Sequence, residues 1–196
     1  MARDFRPLTH TIAVLLCAST VAFTSAQPPP ASAGQRGADE VMMSGGVIPD
    51  KYTQAAGPTA PSPELKWSQV PAGTQSFVLL MHDPEPVLNR GSKMDITHWL
   101  VWNIPGTSTG LPEGVAAGEL PDGTRQLSLR SNGYMGPGAP PGPYHHYTFE
   151  LYALDTKLDV PQGTAQEAAA TRTAVFNAMD GHVLGKAVLV ARFHRP

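Results

Sequence analysis

A single cysteine, Cys17, occurs in 196 residues. No intrachain disulfide can staple the fold, and stability has to come from a packed core. Charge is scarce too. Asp, Glu, Lys and Arg make up 15% of the chain, and 14 basic against 16 acidic residues leave a formal net charge of −2. That balance lacks the basic footprint of a nucleic-acid binder or of a polybasic membrane binder. No apolar stretch reaches the roughly 20 residues that a membrane-spanning helix needs. The chain also contains no HExxH pair, phosphate-binding loop, dinucleotide fingerprint or Asn-x-Ser/Thr acceptor, which removes the motif-bearing enzyme classes. What is abundant is punctuation: 19 Gly and 20 Pro, about a fifth of the chain against roughly 12% in average proteins. Breakers at that density exclude a helical bundle and point to one compact domain of short strands and turns.

The N-terminus reads as an export signal. Arg3 and Arg6 precede an apolar run from Thr11 to Ala22, and Thr24-Ser25-Ala26 places small residues before Gln27, the arrangement of a secretory signal peptide. Leu16 is too bulky before Cys17 for lipoprotein processing. The expectation is cleavage near Ala26 and a periplasmic or secreted mature protein without stable membrane insertion. Cleavage removes Cys17, two basic residues and one acidic residue, so the net charge becomes −3. Residues 27–40 (QPPPASAGQRGADE) lack apolar periodicity and read as a flexible leader; the domain is expected over 41–196.

Within it, apolar runs alternate with Gly/Pro turns. Ser76–His82, Thr97–Asn103, Tyr147–Ala153 and Ala187–Phe193 read as strands from their apolar, β-branched and aromatic content, and Arg125–Arg130 from its alternation of polar and apolar residues. One helix is predicted. Thr164-Ala165-Gln166-Glu167 forms a capping box, Ala168, Val175, Phe176 and Met179 make an apolar stripe, and Gly181 ends it.

Two proline-stiffened segments hold the chemically useful residues. His82-Asp83-Pro84-Glu85-Pro86 is followed twelve residues later by His98-Trp99, and Gly136-Pro137-Gly138-Ala139-Pro140-Pro141-Gly142-Pro143 leads into Tyr144-His145-His146-Tyr147. Stiff loops carrying His, Asp, Glu and Tyr at strand ends suit a preorganised pocket for a small anion. Residues two apart in a strand share a face, so His145 goes with Tyr147, and His98 is expected to lie with Leu100 and Trp102.

The stretches SPELKWSQVPAGTQSFVLLMHDPEP, THWLVWNIPG and GYMGPGAPPGPYHHYTFELYALD resemble the phosphatidylethanolamine-binding protein family, which includes the Raf kinase inhibitor protein, and its exported bacterial branch above all. The resemblance runs from about Val41 to the C-terminus. It implies a mainly β fold, an antiparallel β-sandwich with one or two short peripheral helices, and a pocket for phosphate-like or carboxylate-like anions. Carried over by motif position, Asp83 and Pro84 match the Asp-Pro of the first motif, and Glu85 stands where a second Asp is usual. His98 matches the pocket histidine, and Gly138 the glycine whose N–H meets the anion, with Pro140 as wall. His145 and Tyr147 match the closing His-x-Tyr. Departures are Pro86 directly after Glu85, Ala139 in place of Pro, and His146 in place of Arg.

These readings combine into a non-catalytic binding protein for a small anionic or zwitterionic ligand such as phosphoethanolamine. Protonated imidazoles are expected as donors, which predicts tighter binding as pH falls through about 6.5. The alternative from family analogy is an inhibitor of a protease or another protein partner through a surface loop; a homodimer is compatible with either. No cofactor is implied. A zinc site of His98, His145, Asp83 and Glu85 is disfavoured because no helical ligand pair occurs and the resemblance brings no metal. Gly106-Thr107-Ser108-Thr109-Gly110 matches G-x-S-x-G formally but precedes Leu111-Pro112-Glu113-Gly114, not the helix a nucleophile elbow requires.

Overall fold

The computed structural model describes residues 45–92 and 94–196. The expectations for the signal peptide, the leader and the domain start at 41 lie outside the described residues. Among the described residues seven strands form: β1 (Leu65–Lys66), β2 (Ser76–Asp83), β3 (Ile96–Pro105), β4 (Gly110–Leu111), β5 (Arg125–Leu127), β6 (His145–Leu154) and β7 (Val183–Phe193). Five of them make one antiparallel sheet in the order β5-β3-β2-β6-β7, while β1 and β4 pair separately. Among the described residues there is one α-helix, α1 (Ala168–Ala178), plus short 3-10 turns such as Glu85–Leu88. No helix among them is long and apolar enough to cross a membrane.

The continuous apolar run of β2 follows from its central place, which buries both of its faces. Phe77, Leu79 and Met81 pack with Trp99, Val101, Tyr147 and Phe149 under a layer that includes Ile48, Tyr52, Leu65 and Leu111. Val78 and Leu80 pack with Leu100, Trp102 and Leu127 against Ala168 and Val175 of α1 and Met179 just past its end. Each such side chain contributes about 1.5–3 kcal/mol of burial. The mainly β expectation therefore holds; the layer opposite the helix is a two-stranded sheet supplemented by loops.

The helix starts as its capping residues predict. The Glu167 carboxylate accepts from the Thr164 N–H at 3.0 Å and faces the Thr164 hydroxyl at 2.8 Å, and Gly181 follows the end at φ +78°. The expected strand at Arg125–Arg130 shortens to three residues, because the Ser128 N–H turns back to the Ser131 carbonyl at 2.7 Å. Its polar Gln126 is fully buried rather than facing solvent. Its side chain accepts from Trp99 Nε1 at 2.8 Å and donates to the Ala116 carbonyl at 2.5 Å, so hydrogen bonding offsets its desolvation. Ser108 is a turn residue, its hydroxyl donating to the Gly110 carbonyl at 2.7 Å, in keeping with the chance status of the G-x-S-x-G match.

Candidate functional site

β2 runs antiparallel to β3 and β6, so its last residue lies where they begin. That places Asp83, His98 and His145 at one end of the sheet. Asp83, 3% exposed, accepts from the N–H of Glu85 at 3.0 Å through Oδ1 and meets His145 Nδ1 at 2.8 Å through Oδ2. The first contact folds the chain back across Pro84 and starts the 3-10 turn Glu85–Leu88. Glu85 is tied in turn to His146, Nδ1 to Oε1 at 2.6 Å. The two carboxylates thus each orient a histidine. His146, noted in the sequence only as a replacement for Arg, is a partner of the site.

Burial and the facing Glu85 push the Asp83 carboxyl above its ordinary value, despite His145. Burial also works to raise Glu85, but hydrogen bonds to Asp83 and His146 outweigh it and bring its pKa down.

His98 departs from its expected face. Met81 pairs with Trp99 but His82 pairs with Thr97, a one-residue shift in register that leaves His98 as the extra residue of a β-bulge. Its ring consequently leaves the side of Leu100 and Trp102 and lies edge-on to Tyr147, with centroids 5.1 Å apart and planes at 82°. Nδ1 meets the Met135 carbonyl at 2.8 Å; the carbonyl can only accept, so Nδ1 carries the proton. Burial lowers the His98 pKa to about 4. The expectation of a charged donor is thereby corrected for this residue: His98 is neutral near pH 7.

Tyr147 is fully buried, and its hydroxyl accepts from the Ala139 N–H at 3.3 Å. Burial first, and then the charge of Asp83, raise its pKa, against the Ala139 and Gly138 N–H groups that face it; it remains a neutral O–H donor. A Cβ on Gly138 would sit 2.5 Å from the Gln54 side chain, and one on Gly136 would sit 2.8 Å from the Tyr52 carbonyl. These glycines let the loop lie against the segment Tyr52–Gln54, where Gln54 N–H reaches the Pro137 carbonyl at 2.8 Å. Close packing on a distant segment leaves no signal in the loop's own sequence.

Two expected members stand apart. Pro140 is exposed. Pro84 lines a groove on the helix side with Val87, Met94, Arg172 and Phe176. On that side sequence reasoning missed a cluster in which Asp95 meets His82 Nδ1 at 2.5 Å and is held by two Arg172 contacts, at 2.5 and 3.1 Å.

Of the four residues weighed for a metal, the structure brings three together. Donor atoms of Asp83, Glu85 and His145 all lie within 4.8 Å of one another.

A family model described as phosphatidylethanolamine-binding protein matches residues 38–194. A UPF0098 protein of Methanothermobacter thermautotrophicus is 44% identical over 153 residues, covering 76% of this chain and 92% of its own length. The crystal structure of the phosphatidylethanolamine-binding protein homolog CT736 from Chlamydia trachomatis is similar at TM-score 0.64 and 31% identity, over 80% of this chain and 95% of that one. Escherichia coli YbcL, described as a member of the mammalian family, is similar at TM-score 0.59 and 25% identity, over 82% of this chain and 97% of its own.

Proposed function

Because the chain belongs to the phosphatidylethanolamine-binding protein family, we propose that it is a non-catalytic binding protein whose pocket takes a small phosphate- or carboxylate-bearing ligand of the phosphoethanolamine kind. The observation that carries this reading is the convergence of Asp83, His145, Tyr147 and His98 at one end of the sheet. The buried Tyr147 hydroxyl accepts one backbone N–H and keeps its own proton for an anion. Asp83 and Glu85 complement the ammonium of a zwitterion. His98 acts as a neutral, oriented wall, so the pH dependence expected from charging it does not enter.

The test is an NMR titration with phosphoethanolamine, inorganic phosphate and acetate. Saturable shifts confined to residues around 83–86, 98 and 136–147, strongest for phosphoethanolamine and weakened by Tyr147→Phe, are expected. Absence of any localised response removes the reading.

Export belongs to the same proposal and is supported by Arg3, Arg6, the apolar run and Ala26. Residues 1–30 fused to a reporter active only outside the cytoplasm should give signal, and an Arg or Asp placed at Leu15 should abolish it.

A further inference from the structure

The residues assigned to the pocket so far are short of positive charge. Asp83 and Glu85 bring two carboxylates, and the imidazoles beside them are tied to those carboxylates through Nδ1, His145 at 2.8 Å and His146 at 2.6 Å. His98 is neutral near pH 7, and with its proton on Nδ1 its other ring nitrogen can only accept. Tyr147 contributes a neutral hydroxyl. None of these groups offers a charge that is not already matched, and an anion in a partly dry site is held poorly without one. We propose that Arg130 supplies it: the guanidinium stands at the His98 side of the pocket as the cationic partner of the ligand's anion, and it sets a preference for phosphate over carboxylate. This rests on the anion-pocket reading and adds a residue that neither sequence motif contains.

Three observations support it. The first is placement. Arg130 lies in the segment that wraps His98. Just before it, the Leu129 N–H donates to the Thr97 carbonyl at 3.1 Å; farther on, the Met135 N–H donates to the His98 carbonyl at 2.9 Å. Both anchors fall at the β-bulge that turns His98 toward Tyr147. Arg130 is therefore one residue away from a backbone bond to the start of β3, beside the bulged histidine.

The second is a stiff support. The Ser128 N–H donates to the Ser131 carbonyl at 2.7 Å, and the Ser131 N–H donates to Ser128 Oγ at 3.2 Å. These bonds close a tight turn around Leu129 and Arg130. The backbone that carries the arginine is fixed before any ligand arrives, which lowers the ordering cost of binding.

The third is an available charge. Lys51, Arg125, Arg172 and Lys186 each hold a carboxylate. Arg130 is exposed, and among the described residues no carboxylate pairs with it. Its charge nevertheless reaches the site: burial is the main cause of the low His98 pKa, and Arg130 adds to it. A free guanidinium is a fork that can meet two phosphate oxygens at once. A doubly charged phosphate gains more from it than a singly charged acetate.

The experiment uses the full chain and NMR titration with inorganic phosphate, phosphoethanolamine and acetate at two salt concentrations. Arg130→Gln should weaken both phosphate ligands at least about tenfold, weaken acetate less, and flatten the salt dependence. Arg130→Lys keeps the charge without the fork and should fall between the two. Arg192→Gln is the control. Arg192 pairs across the sheet with His146 rather than Tyr147 and lies over the Tyr144 ring at 4.9 Å, so its loss should leave phosphate affinity within about twofold. A ligand-free readout accompanies these. The His98 ring signals, followed against pH, should show a pKa raised by Arg130→Gln, because a cation beside an imidazole disfavours its charged form, and unmoved by Arg192→Gln. Circular dichroism confirms that each variant is folded.

Phosphate affinity unchanged in Arg130→Gln, while the wild type binds at the pocket, overturns the role of Arg130 and leaves the anion reading standing. Equal losses in Arg130→Gln and Arg192→Gln also overturn it, since general surface charge would then account for the effect. If the wild type binds none of the three ligands, the anion reading fails and the proposal falls with it.

Discussion

His82 and Asp83 are consecutive in β2, yet His82 meets Asp95 at 2.5 Å on the helix face while Asp83 meets His145 at 2.8 Å on the pocket face. Strand alternation alone separates the two clusters. The end of one central strand thus supplies an anchoring pair to each side of the sheet, one tied to α1 through Arg172 and one to the candidate site.

The helix-side anchor should matter for stability. Asp95 and Arg172 are about four-fifths buried as side chains. Burial works to raise the Asp95 pKa, but His82 and Arg172 outweigh it and hold the carboxyl well below the ordinary range. Asp95→Asn or Arg172→Met should each cost roughly 2–4 kcal/mol in denaturant unfolding, because the remaining partner is left buried and unpaired. The double variant should cost less than the sum. A folded pKa lowered this way gives stability that is present above the unfolded value, about 3.9, and is lost as pH falls below it. Additive costs would show that the pair is not coupled.

His98 gives a second pH signature in a different window. Its folded pKa of about 4, lowered chiefly by burial with smaller contributions from Arg130 and His145, lies below the ordinary 6.5. Unfolding takes up a proton between those values, so this stability is complete above pH 6.5 and drains as pH falls toward 4. The total is on the order of 3 kcal/mol. Denaturant midpoints measured from pH 7.5 to 4 should fall in the wild type, and that component should vanish in His98→Gln. An identical slope in both would place the titration elsewhere.

Removing the Tyr147 hydroxyl should separate binding from folding. Tyr147→Phe leaves the Ala139 N–H without its partner at 3.3 Å, a loss of about 1–3 kcal/mol. Phosphoethanolamine affinity should drop about 10- to 100-fold, the range for a hydrogen bond to a charged group. An unchanged dissociation constant would take Tyr147 out of the pocket chemistry.

The loop glycines should rank by what their missing Cβ faces. Gly136→Ala forces a methyl to within 2.8 Å of the Tyr52 backbone carbonyl, which cannot yield without moving the segment. Gly138→Ala meets only the end of the Gln54 side chain. Thermal unfolding should show a loss of about 1–3 kcal/mol for Gly136→Ala and a smaller one for Gly138→Ala, which Gln54→Ala partly relieves. The opposite order would contradict this account.

Much of this molecule was legible in its sequence. The run SFVLLMH is apolar on both faces because the strand is central, and THWLVWN is strand-forming wherever it lies. The Thr164–Glu167 cap, the stripe on α1 and Gly181 are local signals, and the helix follows them. The two motif segments offer Asp83, Glu85, His98, His145 and Tyr147, and the structure brings these five to one end of the sheet.

Tertiary structure decided the rest. Simple alternation put His98 beside Leu100; the register between β2 and β3 inserts a bulge and sends it to Tyr147, and register belongs to a pair of strands rather than to either one. Burial and the Met135 carbonyl, 37 residues away, make that histidine neutral, and no local pattern encodes either. Gln126 is one of the polar residues of an alternating run, and it is buried because Trp99 and the Ala116 carbonyl claim its amide. Gly136 and Gly138 lie where Tyr52 and Gln54 press on the loop and leave no room for a Cβ. Sequence determines which groups are available and how each short segment runs; which groups meet, and hence which are charged, follows from contacts between segments far apart in the chain.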